Sequence, residues 1–228
     1  LITNIGKAHL EGFGGYQGGI KTKTELYSYL KQRGGLAFVN RQDSLLMSHV
    51  ENLQTITYGT TNADVCATVI PAGPRLALAF HHRGKQFEVA TQLMGHYNFG
   101  NVMAAIAIGL HFEVEPGLIA SAISQYTPSN HRSQWIETPR NQLVMDAYNA
   151  NPSSMEAALN EFAKLNTTRQ KILILGGMRE LGEESANEHQ LVLEKAASVG
   201  ASRIIVVGEE FRNSGHEWYP DSQSLATH

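Results

Sequence analysis

The sequence predicts an α/β protein of two domains: a mixed sheet with helices, followed by a parallel sheet covered by helices. Three observations carry that expectation. Short apolar runs separated by turn residues fill 35–95; an Ala-rich, Pro-free stretch with helical spacing starts at Asn98; and beyond Asn130 strand-like and helix-like segments alternate. A chain of 228 residues suits two small domains or one large one, since domains average about 150 residues.

Taken in order, residues 1–6 read as the end of a buried strand, without the basic segment of a signal peptide, so the chain reads as beginning in mid-fold. Strands are expected at 36–39, 55–58, 65–70, 76–80 and 87–93. Pro71-Ala72-Gly73-Pro74 and His82-Arg83-Gly84-Lys85 break them, because Gly supplies positive φ and Pro fixes the turn. Helices are expected at 98–112 and at 116–125, where Pro116 suits a first helical turn. Tyr126-Thr127-Pro128-Ser129-Asn130 reads as a linker, which sets a first domain of 1–126 and a second of 127–228. In the second, strands at 133–137, 143–146, 171–175 and 203–207 and helices at 153–165 and 186–199 imply a parallel sheet with right-handed crossovers. The tail 213–228 has no strong period, and the second domain reads as cut short.

Composition excludes several classes. Hydrophobic residues at 42% and charged residues at 17% exclude a disordered chain. Lys plus Arg is 18 against 21 Asp plus Glu, a net charge of −3, without the basic excess that steers a domain to nucleic acid or anionic lipid. Any anionic ligand is therefore held by local groups. Cys66 is the single cysteine, so neither an intrachain disulfide nor a cysteine-based zinc cluster forms, and a cytoplasmic home is the default. The most apolar stretch, 102–110, is about half of what spans a bilayer, which argues against membrane insertion.

Four clusters carry candidate chemistry. Asn4-Ile5-Gly6-Lys7-Ala8-His9-Leu10-Glu11-Gly12-Phe13-Gly14 follows an apolar run, where ligand loops of open α/β sheets lie; His9 is either a metal ligand or a hydrogen-bonded structural residue. Gly95-His96-Tyr97-Asn98-Phe99-Gly100-Asn101 places Asn98 and Asn101 on one face of a first helical turn, where amides either read an adenine edge or phosphate or cap the helix. Asp146-Ala147-Tyr148-Asn149-Ala150-Asn151-Pro152 is a strand end opening a helix: Asp146 suits a ribose and the helix start suits anions, or the segment is an ordinary capped loop. Gly176-Gly177-Met178-Arg179-Glu180-Leu181-Gly182-Glu183-Glu184 does not fit G-x-G-x-x-G. His81-His82 reads as a solvated hairpin end.

In this order the clusters resemble the Mur ligase family, most closely its MurF type, over nearly the whole chain. Asp-x-Tyr-Asn-Ala-Asn-Pro and Glu-Leu-Gly-Glu are the more specific motifs; the Asn-x-x-Asn helix start is shared with folylpolyglutamate synthases. The resemblance implies part of a central ATPase domain followed by a Rossmann-like C-terminal domain. It implies an ATP-dependent ligase of peptidoglycan precursors, which phosphorylates the carboxylate of UDP-N-acetylmuramoyl-tripeptide for attack by D-alanyl-D-alanine. Under it His9 is a ligand of Mg2+. Lys23, fourteen residues on, falls where the family carries a carbamylated lysine on the same metal. Asn98 and Asn101 are then assigned to the adenine, Asp146 to the ribose, Arg132 to the ATP phosphates on domain closure, and Asn149 and Asn151 to the interdomain cleft.

The chain departs from the family at three places: Tyr97 where His is frequent, Met145-Asp146 where paired Asp is usual, and Gly177 where Asp is common. No G-x-x-G-K-S/T occurs, so the chain reads as a fragment, inactive alone, whose central sheet exposes an apolar edge that invites self-association; the intact enzyme is expected to be a monomer. Another Mur or folylpolyglutamate-type ligase, or a nucleotide-binding module without catalysis, are the alternative readings.

Overall fold

In the computed structural model, which describes residues 1–227, seven strands form one mixed sheet in chain order. They are β1 (Leu36–Asn40), β2 (Gln54–Gly59), β3 (Val65–Ile70), β4 (Arg75–His82), β5 (Lys85–Met94), β6 (Gln134–Glu137) and β7 (Gln142–Met145). The first three run parallel, and from β3 onward neighbours are antiparallel. Strand β4 is buried continuously from Leu76 to Phe80, the pattern of a strand covered on both faces. Its hairpin to β5 turns through Arg83 (φ 48°) and Gly84 (φ 77°), two adjacent positive φ values that match the right-handed twist of the flanking strands. His81 and His82 end that hairpin, paired opposite Gln86 and Lys85.

A second, three-stranded parallel sheet contains β8 (Ile172–Gly176), β9 (Arg203–Val207) and β10 (Glu217–Tyr219), with β9 central. The helices are α1 (Leu10–Phe13), α2 (Tyr16–Arg33), α3 (Ser44–Ser48), α4 (Phe99–His111), α5 (Pro116–Gln125), α6 (Pro152–Lys164), α7 (Ser185–Ala197) and α8 (Ser222–Ala226). The chain divides into two units, 1–5 with 20–146 and 6–19 with the residues from Ala147 onward, so the division falls inside α2.

In the first unit α4 lays Val102, Met103, Ile106 and Ala107 on Leu76, Leu78, Phe80 and Val89. Gly109 lets α5 approach, because a Cβ there would stand 2.8 Å from Ile119 Cδ1. A separate cluster of Ile2, Ile5, Ile20, Tyr27, Val39 and Leu46 covers β1. In the second unit Leu173 and Leu175 of β8 and Val206 of β9 meet Leu159, Val192, Ala196, Phe211 and Leu10. Ile172 and Ile174 of β8 point the other way and are exposed, the period-two pattern of a sheet packed on one face. No helix among the described residues is long and apolar enough to cross a membrane.

The structure corrects the sequence reading at four places. Residues 1–6 form no strand, although Ile2 and Ile5 are buried. Helix α2 was not expected; Ile20 and Tyr27, seven apart, are its buried apolar side chains, and Gly34 (φ 63°) follows its last turn. Strands β6 and β7 are not in the parallel sheet. They are an antiparallel hairpin on β5, because the short turn 138–141 between them is closed by Thr138 N–H donating to Asn141 O at 2.8 Å, and a parallel crossover needs about a dozen residues. The tail, read as aperiodic, contains β10 and α8.

Candidate functional site

In the first unit, the residues between β5 and α4 and the end of β7 meet in one hydrogen-bonded network. Tyr97 Oη donates to Asp146 Oδ2 at 2.9 Å and lies 2.8 Å from Ser133 Oγ; Ser133 N–H donates to Asp146 Oδ1 at 3.2 Å. Both carboxylate oxygens of Asp146 are thereby oriented, with lone pairs to spare, since a carboxylate accepts about four bonds. Two of the family departures, Tyr97 and the single Asp146, are direct partners. Ser133 (φ 50°) and His131 (φ 57°) take left-handed backbone on either side of Arg132, which is exposed. His131 N–H is held by Gln134 Oε1 at 2.9 Å, so the loop that presents Arg132 is pinned at both ends.

Asn98 and Asn101 separate into two roles. Asn98 is buried and its Nδ2 donates to Met94 O at 2.8 Å, tying the end of β5 to the start of α4. It makes no side-chain cap bond, so neither amide caps as the capping alternative expected. Asn101 is exposed, and its Nδ2 reaches Asn98 Oδ1 at 3.4 Å. Lys23 lies within α2, half-buried, one turn before the buried Tyr27.

In the second unit, His9 adopts left-handed backbone (φ 54°, ψ 38°), which puts its ring beside the loop after β8. Its Nδ1 is bonded to the Glu180 carboxylate, and Glu11 N–H donates to Glu180 O at 3.1 Å. Lys7, two residues earlier, donates through Nζ to Glu188 Oε1 at 2.5 Å, and its backbone N–H to Ser153 Oγ at 2.9 Å. The hydrogen bond to the buried Glu188 raises the Lys7 pKa. Asn151 caps α6: its Oδ1 accepts Ser154 N–H at 3.0 Å, while Asn151 N–H donates to Ser154 Oγ at 3.1 Å. Its carbonyl oxygen is therefore committed to the helix. Asn149 and Tyr148 are exposed beside it.

The loop after β8 is closed by a residue the sequence did not single out. His189, buried in α7, accepts Met178 N–H on Nε2 at 2.9 Å, and its Nδ1 lies 2.7 Å from Ser185 O, a pairing that fixes the neutral Nδ1–H form. Gly177, one of the places where the sequence departs from the motifs it resembles, faces Glu210: a Cβ at 177 would stand 2.5 Å from Glu210 Oε2. An acidic side chain at 177 would displace that carboxylate. Glu180 lies in the Glu-Leu-Gly-Glu motif, which gave it no partner, and no local signal marks Glu188 or His189, whose partners are far away in the chain or lie across the turn of a helix.

His9 and Lys23, assigned to one metal by resemblance, belong to different units. No group of three or more His, Cys, Asp or Glu able to hold a metal occurs among the described residues. The donor chemistry at His9 nevertheless fits a cation: with Nδ1 on a carboxylate, Nε2 is the nitrogen that remains to ligate.

Comparison with known proteins gives two matches along the chain. Residues 1–109 match the family described as Mur ligase middle domain, and residues 131–221 match that described as Mur ligase, glutamate ligase domain. A UDP-N-acetylmuramoyl-tripeptide–D-alanyl-D-alanine ligase of Bacillus subtilis is 31% identical over 83% of the chain and 41% of its own length. One of Escherichia coli is 32% identical over 92% of the chain and 47% of its own length. Among solved structures, MurF from Acinetobacter baumannii superposes with a TM-score of 0.83 at 27% identity, covering 99% of this chain and 51% of that one. MurF from Thermotoga maritima, solved with ADP, shares the fold with a TM-score of 0.81 at 20% identity, covering 98% of this chain and 53% of that one. The chain spans about half the length of the relatives it matches.

Proposed function

The chain belongs to the Mur ligase family, and from that premise we propose that the intact protein is an ATP-dependent amide ligase of peptidoglycan precursor synthesis, joining D-alanyl-D-alanine to UDP-N-acetylmuramoyl-tripeptide. One observation carries the reading: relatives named for that reaction align with the chain through both of its units. A carboxylate is a poor acyl donor. The tripeptide carboxylate attacks the ATP γ-phosphorus, the β–γ P–O bond breaks and ADP leaves, giving an acyl phosphate; the dipeptide amine attacks its carbonyl carbon, the amide bond forms, and phosphate leaves with the proton lost to solvent. Such a reaction depends on positioning and on groups that neutralise phosphoryl charge.

The network around Asp146 supports a ribose site, because Tyr97 and Ser133 hold the carboxylate while leaving it lone pairs for hydroxyls. The exposed Asn101 amide, set by the buried Asn98, faces adenine in this reading, and Arg132 pairs with ATP phosphates. Asn149, and the Nδ2 that helix capping leaves to Asn151, serve the muramoyl peptide or the incoming amine. Mg2+ would be held by His9 and by Lys23 as its carbamate, because magnesium prefers anionic oxygen; when bound it neutralises phosphoryl oxygens. We keep the division at 126/127 as the family's domain boundary, place the reaction in the cytoplasm, and expect an intact monomer. The 228-residue chain alone should be inactive and self-associate through β1, one of the two edge strands of its sheet, which light scattering at micromolar concentration tests.

The full-length protein should release inorganic phosphate only when ATP, UDP-N-acetylmuramoyl-tripeptide and D-alanyl-D-alanine are all present. Release that proceeds equally with a single amino acid in place of the dipeptide overturns the MurF reading. Lys23→Ala should abolish turnover and recover with small carboxylates; full activity without them overturns the carbamate.

A further inference from the structure

The loop that follows β8 meets the N-terminal segment through the polar pair His9–Glu180 as well as through apolar packing, and the polar pair has the form of a ligand being oriented. Met178 and Leu181 are buried against Leu10 in the core of the second unit, which anchors the loop on both sides of Glu180. Glu180 itself is exposed and takes left-handed backbone (φ 60°), as does His9 (φ 54°). Left-handed backbone is uncommon for residues with a side chain and persists where surrounding contacts determine it. Here the determinants are visible. Glu11 N–H donates to Glu180 O at 3.1 Å, Gly182 (φ 57°) stands with its Cβ direction 3.7 Å from Glu11 Cβ, and the Phe13 ring meets the His9 ring edge-on at 6.4 Å. Together they hold the Glu180 carboxylate on Nδ1 of His9.

From this we propose that Glu180 is a positioning residue for His9: it fixes the imidazole as the Nδ1–H tautomer and directs the Nε2 lone pair outward to a divalent cation. The inference rests on the reading of His9 as a metal ligand. Its physical basis is general. A carboxylate on the second nitrogen of a ligating histidine sets tautomer and ring orientation and makes the imidazole a better donor, and its removal weakens metal binding by about 10–100-fold. It also gives Glu-Leu-Gly-Glu a purpose within its own unit, since Leu181 anchors the loop and Gly182 supplies the left-handed backbone (φ 57°) with which it turns beside Glu11.

The test compares wild type, Glu180→Gln, Glu180→Ala and His9→Ala in the full-length protein, reading the His9 ring by histidine-selective 15N NMR without metal and Mn2+ affinity by electron paramagnetic resonance. A Gln side-chain carbonyl still accepts from Nδ1–H, so Glu180→Gln should retain the tautomer and most of the affinity. Glu180→Ala should shift His9 towards Nε2–H, the form an unconstrained imidazole prefers, and weaken Mn2+ by about 10-fold. If wild-type His9 is already Nε2–H, or if Glu180→Ala leaves both readouts unchanged, the proposal is overturned while the metal reading stands. If Glu180→Gln loses as much affinity as Glu180→Ala with the tautomer intact, the carboxylate is itself a ligand and positioning is overturned. If His9→Ala leaves Mn2+ affinity unchanged, the metal reading fails and takes the proposal with it.

Discussion

Replacing Lys7 with Ala strands a carboxylate. Lys7 Nζ lies 2.5 Å from Glu188 Oε1, and the side chain of Glu188 is only 5% exposed whereas that of Lys7 is 46% exposed. Removing one partner of a buried ion pair costs about 3–5 kcal/mol, because the remaining charge is left without compensation. The half-solvated ammonium already shares its charge with water, which reduces the expected loss to about 2–3 kcal/mol. In a unit of roughly a hundred residues each kcal/mol moves Tm by about 4–8 °C, so a fall on the order of 10 °C or more is expected. Trp218 reports on this unit and Trp135 on the other, so urea and thermal unfolding followed by fluorescence in a Trp135→Phe background isolates the effect. Lys7→Met combined with Glu188→Leu should recover most of the loss, since no charge then remains buried. The pH dependence has a defined sign: the raised Lys7 pKa means the pair contributes fully below the ordinary lysine value of about 10.4 and fades as pH rises through the raised one. A deficit below about 0.5 kcal/mol, or a double variant no more stable than Lys7→Ala, refutes the reasoning.

Tyr27 Oη is buried without a hydrogen-bond partner among the described residues, so Tyr27→Phe should be neutral or stabilising by about 1 kcal/mol in urea unfolding; a clear loss would reveal a hidden partner. Burial pushes the hydroxyls of Tyr27 and Tyr58 up to about 12, above the unfolded value of about 10. Their contribution is therefore intact below pH of about 10 and lost as pH climbs from there towards 12, which tyrosinate absorbance and unfolding should report in the same window. Asn151→Ala removes the cap of α6 and should cost about 1 kcal/mol, with Asn151→Asp retaining most of it; an equal loss in both would mean that the amide does more than cap.

Much of the fold was legible because its signals are local. Val65–Ile70, Pro116–Gln125 and Arg203–Val207 fall at the expected residues, since side-chain period, Pro at a first helical turn and flanking turn residues act within a few positions. Helix α2 escaped notice because it is polar around most of its circumference, and its few buried residues mean something only against a neighbouring surface. The hairpin β6–β7 shows the limit from the other side: its strands were found, but which sheet a strand joins depends on the free edge that β5 offers.

The sequence by itself determined most of the elements, the family and the residue types offered as candidates: an imidazole, a lysine, an arginine, four asparagines and a strand-end aspartate. Only the tertiary structure decided what each of them touches. Asn98 is committed to Met94 O and Asn151 to its helix, Asp146 is held by Tyr97 across 49 residues, and His9 meets Glu180 across 171. Periodicity and turn chemistry are properties of neighbours along the chain. A hydrogen bond between distant segments exists only after packing has paid the entropy of bringing them together, so no spacing in the sequence announces it.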